Sequence, residues 1–204
     1  MSSIAIFGAA GRAGRAIVTE ALSRGHTVTA VVRDPARHPD LDGRVVRGDI
    51  TDPESVAAVL SGQDAAVNAV SPASGPEELA RLELNPGFFA DAVDALVASK
   101  VPRIVAIGLF SNLRGADPLP EQFRAFADAH TAGLTRLRES DADWVMLTPP
   151  ALLTLDRPRL GGYRLGGDEA VPGHLSYADL AVAVVDQIEE PTLHGERAAI
   201  FNVD

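Results

Sequence analysis

With 204 residues, 46% of them apolar and 23% charged, the chain has the size and composition of one well-filled globular domain and is short for two. A net charge of −10 argues against a nucleic-acid partner, which needs a basic face, and no apolar run reaches the length of a membrane span. Cysteine is absent, which excludes disulfides, thiolate catalysis and cysteine-ligated zinc, and Met1-Ser2-Ser3 leads into a strand with no basic leader, so a cytoplasmic location is expected.

The first predicted strand, Ile4 to Phe7, is continuously apolar, as a strand buried on both faces of a parallel sheet must be. Gly8-Ala9-Ala10-Gly11-Arg12-Ala13-Gly14 follows, and then a helical spacing of Ile17, Val18, Ala21 and Leu22 that ends at Gly25. Strand, glycine turn and helix in this order form half of a dinucleotide-binding unit. Gly8 serves the tight turn, Gly11 the approach of a pyrophosphate to the backbone, and Gly14 the close packing of helix on strand. Ala10, Arg12 and Ala13 complete the candidate cradle, and the helix N-terminus faces the anion.

The second strand, Thr27 to Val32, ends in Arg33-Asp34-Pro35. The residue closing this strand meets the adenosine ribose in such folds: an acid favours NAD, an arginine the 2′-phosphate of NADP. Arg33 therefore favours NADP(H), with Arg12 and Arg37 able to close on the same phosphate; Asp34, one residue on, leaves NAD(H) open. Val45-Val46 is a short third strand leading to Asp49 and Ile50, candidates for the adenine. Asp52-Pro53 caps a helix with Val56, Val59 and Leu60 inward. The fourth strand runs from Asp64 to Val70, placing Asn68, Ala69 and Val70 beside the cofactor, and Ser71 to Pro76 leaves it as a loop.

Glu77 to Ser99 reads as helix broken at Asn85-Pro86-Gly87. Arg103 to Ile107 is the fifth strand, followed by Gly108 as a cofactor contact and Phe110, Ser111 and Asn112 facing an acceptor. Glu121 to Ser140 is a helix, Trp144 to Leu147 the sixth strand, and Pro149-Pro150 closes the cofactor site. Beyond Ala151 the pattern weakens: Tyr163 to Leu165 reads as a short strand, Ser176 caps a helix through Glu190, and Ala199 to Val203 is a last strand. The alternation predicts a single α/β domain over residues 1–204, a Rossmann-type doubly wound parallel sheet with helices on both faces, its residues 151–204 supplying the substrate side.

Ile6 to Gly14, Val32-Arg33-Asp34-Pro35, Gly48-Asp49-Ile50-Thr51, and Leu137-Arg138-Glu139-Ser140 with Trp144 and Pro149-Pro150 together resemble one group. This is the atypical short-chain dehydrogenase/reductases, the branch holding the biliverdin IX-beta (flavin) reductases and the NmrA-like proteins. The resemblance runs over nearly the whole chain, including Gly161-Gly162-Tyr163, and implies a Rossmann fold, an NADP-type cofactor and a small planar or carbonyl acceptor near the ends of strands four to six. The chain departs from the group's pattern at Ala13, where threonine is usual, and near Gly108-Leu109, where the flavin reductase has serine and this chain has Ser111 two residues later.

The Tyr-x-x-x-Lys relay of most short-chain dehydrogenases is missing: Gly167 and Ala181 stand four residues after Tyr163 and Tyr177, and Lys100, the sole lysine, follows neither. Chemistry then rests on positioning a conjugated acceptor, a flavin, quinone or related carbonyl compound, for hydride. Ser111 and His130 are the candidate catalytic groups, His130 as proton donor, with Phe110, Asn112 and Tyr163 against the acceptor. The five histidines are scattered without acidic partners, so no metal is expected. A non-catalytic NADP(H) sensor and, more weakly, an epimerase or isomerase remain as alternatives.

Overall fold

The computed structural model describes residues 1–73 and 75–202; Ser74 in the predicted loop and Val203 at the predicted last strand lie outside it. Strand β1 (Ser3–Phe7) is followed by α1 (Arg12–Ser23), β2 (Thr27–Val32), β3 (Arg44–Arg47), α2 (Pro53–Leu60) and β4 (Ala65–Asn68). Then come α3 (Pro76–Leu79), α4 (Phe88–Ala98), β5 (Arg103–Ile107), α5 (Arg124–Glu139) and β6 (Trp144–Thr148). The C-terminal part holds β7 (Leu152–Thr154), β8 (Arg164–Leu165), β9 (His174–Ser176), α6 (Tyr177–Glu189) and β10 (Glu196–Phe201).

Eight strands form one sheet in the order β3-β2-β1-β4-β5-β6-β10-β8, parallel except for β8, which runs antiparallel to β10 at the edge. β1 lies between β2 (Ile4 opposite Val28) and β4 (Ile4 opposite Ala65). Its Ile4, Ala5, Ile6 and Phe7 are at most 1% exposed, because each face is roofed by helices. One core unites β1 with α1 and α6 through Ile6, Ile17, Val18, Leu180 and Val184. The other unites the opposite face with α2, α4 and α5 through Phe7, Val56, Leu96, Leu137 and Trp144. The chain winds outward from β1 to β3, then returns to start β4 on the other side, so a crevice opens at the carboxyl ends of β1 and β4. Sheets of this kind bind ligands at that switch of direction.

Most central elements fall where the periodicity puts them. The helix expected from Glu77 is the exception: it is the single turn α3, which ends at Leu79, residues 80–87 are not helical, and α4 begins directly after Asn85-Pro86-Gly87. α5 is preceded by a 3-10 turn over Glu121–Phe123, and β10 begins at Glu196, earlier than the apolar pattern indicates. The parallel pair β7 and β9 carries no sequence pattern of its own: Leu152 is 55% exposed.

Between β7 and β8 the chain forms a strap across α1 and α6. Arg159 makes two hydrogen bonds to Glu20 (3.0 and 2.8 Å), and Arg24 bridges Glu20, Asp186 and Glu189. These arginines hold the Glu20 carboxyl below the usual glutamate range, Arg159 most of all. At the start of α6, Ser176 Oγ accepts from Asp179 N (2.9 Å) and donates to Asp179 Oδ2 (2.8 Å). Asp179 Oδ1 accepts from Leu160 N and Gly161 N, so one buried carboxylate holds the capping hydroxyl of Ser176 and fastens the strap.

Candidate functional site

The turn after β1 is built from contacts that only glycine permits. Gly8 has φ +78°, and a Cβ there would lie 2.6 Å from Ala69 O and 2.9 Å from Val70 N, so the exit of β4 presses directly on it. A Cβ on Gly14 would lie 2.1 Å from Gly8 O, because α1 is drawn onto the end of β1. A Cβ on Gly11 would meet only Gly8 O, at 3.3 Å, so this glycine faces open space and leaves the backbone approachable. α1 starts at Arg12 with no side-chain cap and no acid in its first turn, which leaves amide donors and the positive end of its dipole facing the crevice. These features fit the diphosphate of a dinucleotide. Ala10 and Ala13 line the same turn, and the Ala10 carbonyl accepts from Arg15 Nε.

Arg33 is exposed at the end of β2, with no hydrogen bond or ion pair among the described residues. Asp34 is engaged: its Oδ1 accepts from Ala36 N (3.2 Å) and caps the 3-10 turn Pro35–Arg37. The Arg12 guanidinium lies over the ring of Tyr177, the first residue of α6, 5.8 Å from the centroid. Asp49 is exposed, and its Oδ1 accepts from Thr51 N and Thr51 Oγ1. Ile50 is 4% exposed and packs in the core with Val56 and Leu60 of α2.

The carboxyl ends of β4, β5 and β6 enclose a narrow notch of about 10 Å³, the space of a single water, lined by Asn68, Val70, Ile107, His130 and Met146 with Phe89. Val70 joins it to the glycine turn, since its amide abuts Gly8. Gly133 lets α5 approach α4, as a Cβ there would lie 2.9 Å from that of Phe89. One turn earlier on α5, His130 is thereby laid on Phe89 (centroids 3.7 Å apart) and against the edge of Phe126 (4.7 Å). Burial pushes its pKa down to about 3, and its ring nitrogens have no hydrogen-bond partner among the described residues. This packing favours the uncharged imidazole at neutral pH, which keeps one N–H to donate. Asn68 Oδ1 accepts from Val70 N (3.2 Å), which turns its amide nitrogen to the notch side.

A consequence for stability follows with a definite sign. The unfolded chain takes up the imidazole proton near pH 6.5, the folded one only near 3, so stability is full above 6.5 and declines as the pH falls below it, by about 1 kcal/mol per unit. His130→Phe is expected to flatten this slope. Urea midpoints measured from pH 7 to pH 5 check it; an unchanged slope would mean the ring is not held neutral.

After β5, Gly108 is held by Thr148, whose Oγ1 would lie 2.1 Å from a Cβ at Gly108 and is itself buried without a hydrogen-bond partner. Phe110, Ser111 and Asn112 form a 3-10 turn. The Asn112 amide donates to Ala127 O (2.8 Å) and Thr131 Oγ1 (3.0 Å), fastening this turn to α5, while its Oδ1 accepts from Ser111 Oγ (3.4 Å). Its donors are thus taken up by the fold. Pro149 and Pro150 are buried at the end of β6.

Tyr163 is not among these groups. It lines an open groove of about 720 Å³ with Asp186, Glu189 and Glu190, and its hydroxyl faces Asp186 and Gln187. Gln187 O accepts from Arg103 at the first residue of β5, which places this groove at the amino end of the strands, away from the notch. Burial pushes the Tyr163 hydroxyl up to about 12. The tyrosine beside the glycine turn is Tyr177, signalled in sequence only by the preceding cap Ser176. Among the described residues no group of three His, Asp or Glu side chains is placed to hold a metal, and no helix is long and apolar enough to cross a membrane.

Comparison with known proteins agrees with this geometry. The protein YwnB of Bacillus subtilis is 31% identical over 98% of both chains. A Burkholderia pseudomallei protein proposed to be exported superposes with a TM-score of 0.83 at 30% identity, covering 99% of this chain and 100% of that one. A proposed NADH-flavin reductase of Streptococcus pneumoniae superposes with 0.81 at 25% identity over the whole of both chains. A proposed epimerase of Bacteroides thetaiotaomicron gives 0.84 at 27%, covering 100% of this chain and 98% of that one. Residues 8–191 match the NAD(P)H-binding family, a span that takes in the glycine turn, the notch and Tyr177, and the chain belongs to that family.

Proposed function

We propose that the protein is an NADPH-dependent reductase of a small conjugated acceptor. The observation that carries this is the shared wall at Val70: the glycine turn and the notch meet there, so a dinucleotide in the first brings its reactive end to the second. When bound, the nicotinamide supplies hydride.

The chain's own residues do the rest. Gly8, Gly11, Gly14 and the amides of Arg12 and Ala13 hold the diphosphate, and Arg33 selects the 2′-phosphate while Asp34 is occupied by its own turn. Asp49, the Ile50 backbone and Ala69 border the adenosine half; Asn68, Val70, Gly108, Pro149 and Pro150 border the other. His130 and the Asn68 amide offer neutral hydrogen bonds at the mouth of this notch, which has room for the edge of a flat, uncharged acceptor lying over it, whose proton comes from water. Ser111 and Phe110, on the turn anchored by Asn112, close the acceptor side.

The proposed NADH-flavin reductase among the structural relatives supports the reductase part of this reading, and the choice of NADPH rests on Arg33 alone. The test is NADPH oxidation with flavins and quinones, alongside calorimetry with NADPH and NADP. Turnover well above a protein-free control is expected. No turnover, with strong discrimination between the oxidised and reduced coenzyme, would instead make the protein a sensor.

A further inference from the structure

Tyr177 belongs to no part of the site the sequence assigns, and the fold gives it a fixed place beside the glycine turn. It is the first residue of α6, directly after the cap Ser176, whose hydroxyl is locked to a buried Asp179 that also holds the strap at Leu160 and Gly161. Its ring packs against the core shared by α1 and α6, the same core that Ala10 and Ala13 of the glycine turn pack against. Over its face lies the guanidinium of Arg12, the first residue of α1, 5.8 Å from the ring centroid and within the range where cation and ring attract.

The two ends of the cradle therefore carry different arginines. Arg33 stands at the end of β2, while Arg12 lies over the first residue of α6, where the helices that follow β1 and β9 begin side by side. An arginine on a flexible stem loses much rotamer freedom when it binds an anion, and a ring that holds it beforehand removes part of that loss. We infer that Tyr177 is a positioning residue for the dinucleotide: its ring presets Arg12 to clamp the diphosphate from the nicotinamide side. This rests on the cofactor reading above and adds to it a division of labour, with Arg33 reading the 2′-phosphate and the Tyr177–Arg12 pair reading the diphosphate.

The pair can be separated from Arg33 by ligand choice. Dissociation constants are measured for NADPH and for adenosine 2′,5′-bisphosphate, which has the 2′-phosphate but no diphosphate, on wild type, Tyr177→Leu, Tyr177→Phe, Arg12→Gln and the Tyr177→Leu/Arg12→Gln double variant. Tyr177→Leu is expected to weaken NADPH about fivefold, the size of one exposed cation–ring contact, and to leave the bisphosphate unchanged. Tyr177→Phe keeps the ring and should retain wild-type affinity, and the double variant should be no weaker than Arg12→Gln alone, because Tyr177 acts through Arg12. Unchanged NADPH affinity in Tyr177→Leu, equal loss for both ligands, or additive effects in the double variant would overturn the inference while leaving the cofactor reading standing. A wild-type protein that binds neither ligand would overturn the cofactor reading itself.

Discussion

Gly14→Ala is expected to lower the melting temperature by about 6–12 °C, the equivalent of about 3 kcal/mol in a chain of this length, and to weaken NADPH binding more than tenfold. The added methyl would lie 2.1 Å from Gly8 O, 2.7 Å from Ala9 Cα and 2.8 Å from Gly8 C, all backbone atoms with no rotamer to yield. α1 must then withdraw from the end of β1, and the core contacts of Ile17 and Val18 are disturbed with it. The gain in helix propensity on replacing glycine by alanine is at most about 1 kcal/mol and does not offset this. Gly11→Ala provides the contrast. Its methyl meets only Gly8 O, at 3.3 Å, so the melting temperature should barely move while the coenzyme loses its close approach to the backbone. Thermal melts and NADPH titrations on the two variants separate folding from binding. Normal NADPH affinity in Gly11→Ala would mean that no diphosphate sits in the turn.

The second large effect is on coenzyme choice. Arg33→Ala should weaken NADPH by about ten- to a hundredfold, the range of one charge-assisted hydrogen-bonded contact, and leave NADH unchanged. The structure sharpens this expectation: Asp34 is taken up by Ala36 N and so is not poised for the free 2′-OH, Arg12 lies over Tyr177, and Arg37, exposed on the next turn, is the cation left to retain part of the binding. The fold has no use for the Arg33 side chain, so stability should not change. An unchanged ratio of the two affinities would remove Arg33 from the 2′-phosphate.

Much of this architecture is legible in the residues. Ile4 to Phe7 can only be a strand buried on both sides, three glycines at this spacing demand close backbone approach, and Pro86 cannot sit inside a helix, so α4 starts after it. Arg33 follows its strand in the chain, so its position at the strand's end is a local property. The acceptor side was harder to read because its residues act through partners distant in sequence. His130 owes its neutral state to Phe89 on a different helix, and Asn112 is spent on α5. Tyr163 and Tyr177 are indistinguishable by pattern, yet the strap carries one toward Asp186 at the amino end of the strands and the cap at Ser176 sets the other beside Arg12.

The sequence by itself determined the order of strands and helices, the glycine turn and the cation that ends β2, because each depends on neighbours within a few residues. Only the tertiary structure decided which tyrosine and which arginine meet, and that His130 packs on Phe89, where desolvation favours its uncharged form. Burial and charge pairing are properties of surfaces brought together across the chain, and no local spacing encodes them.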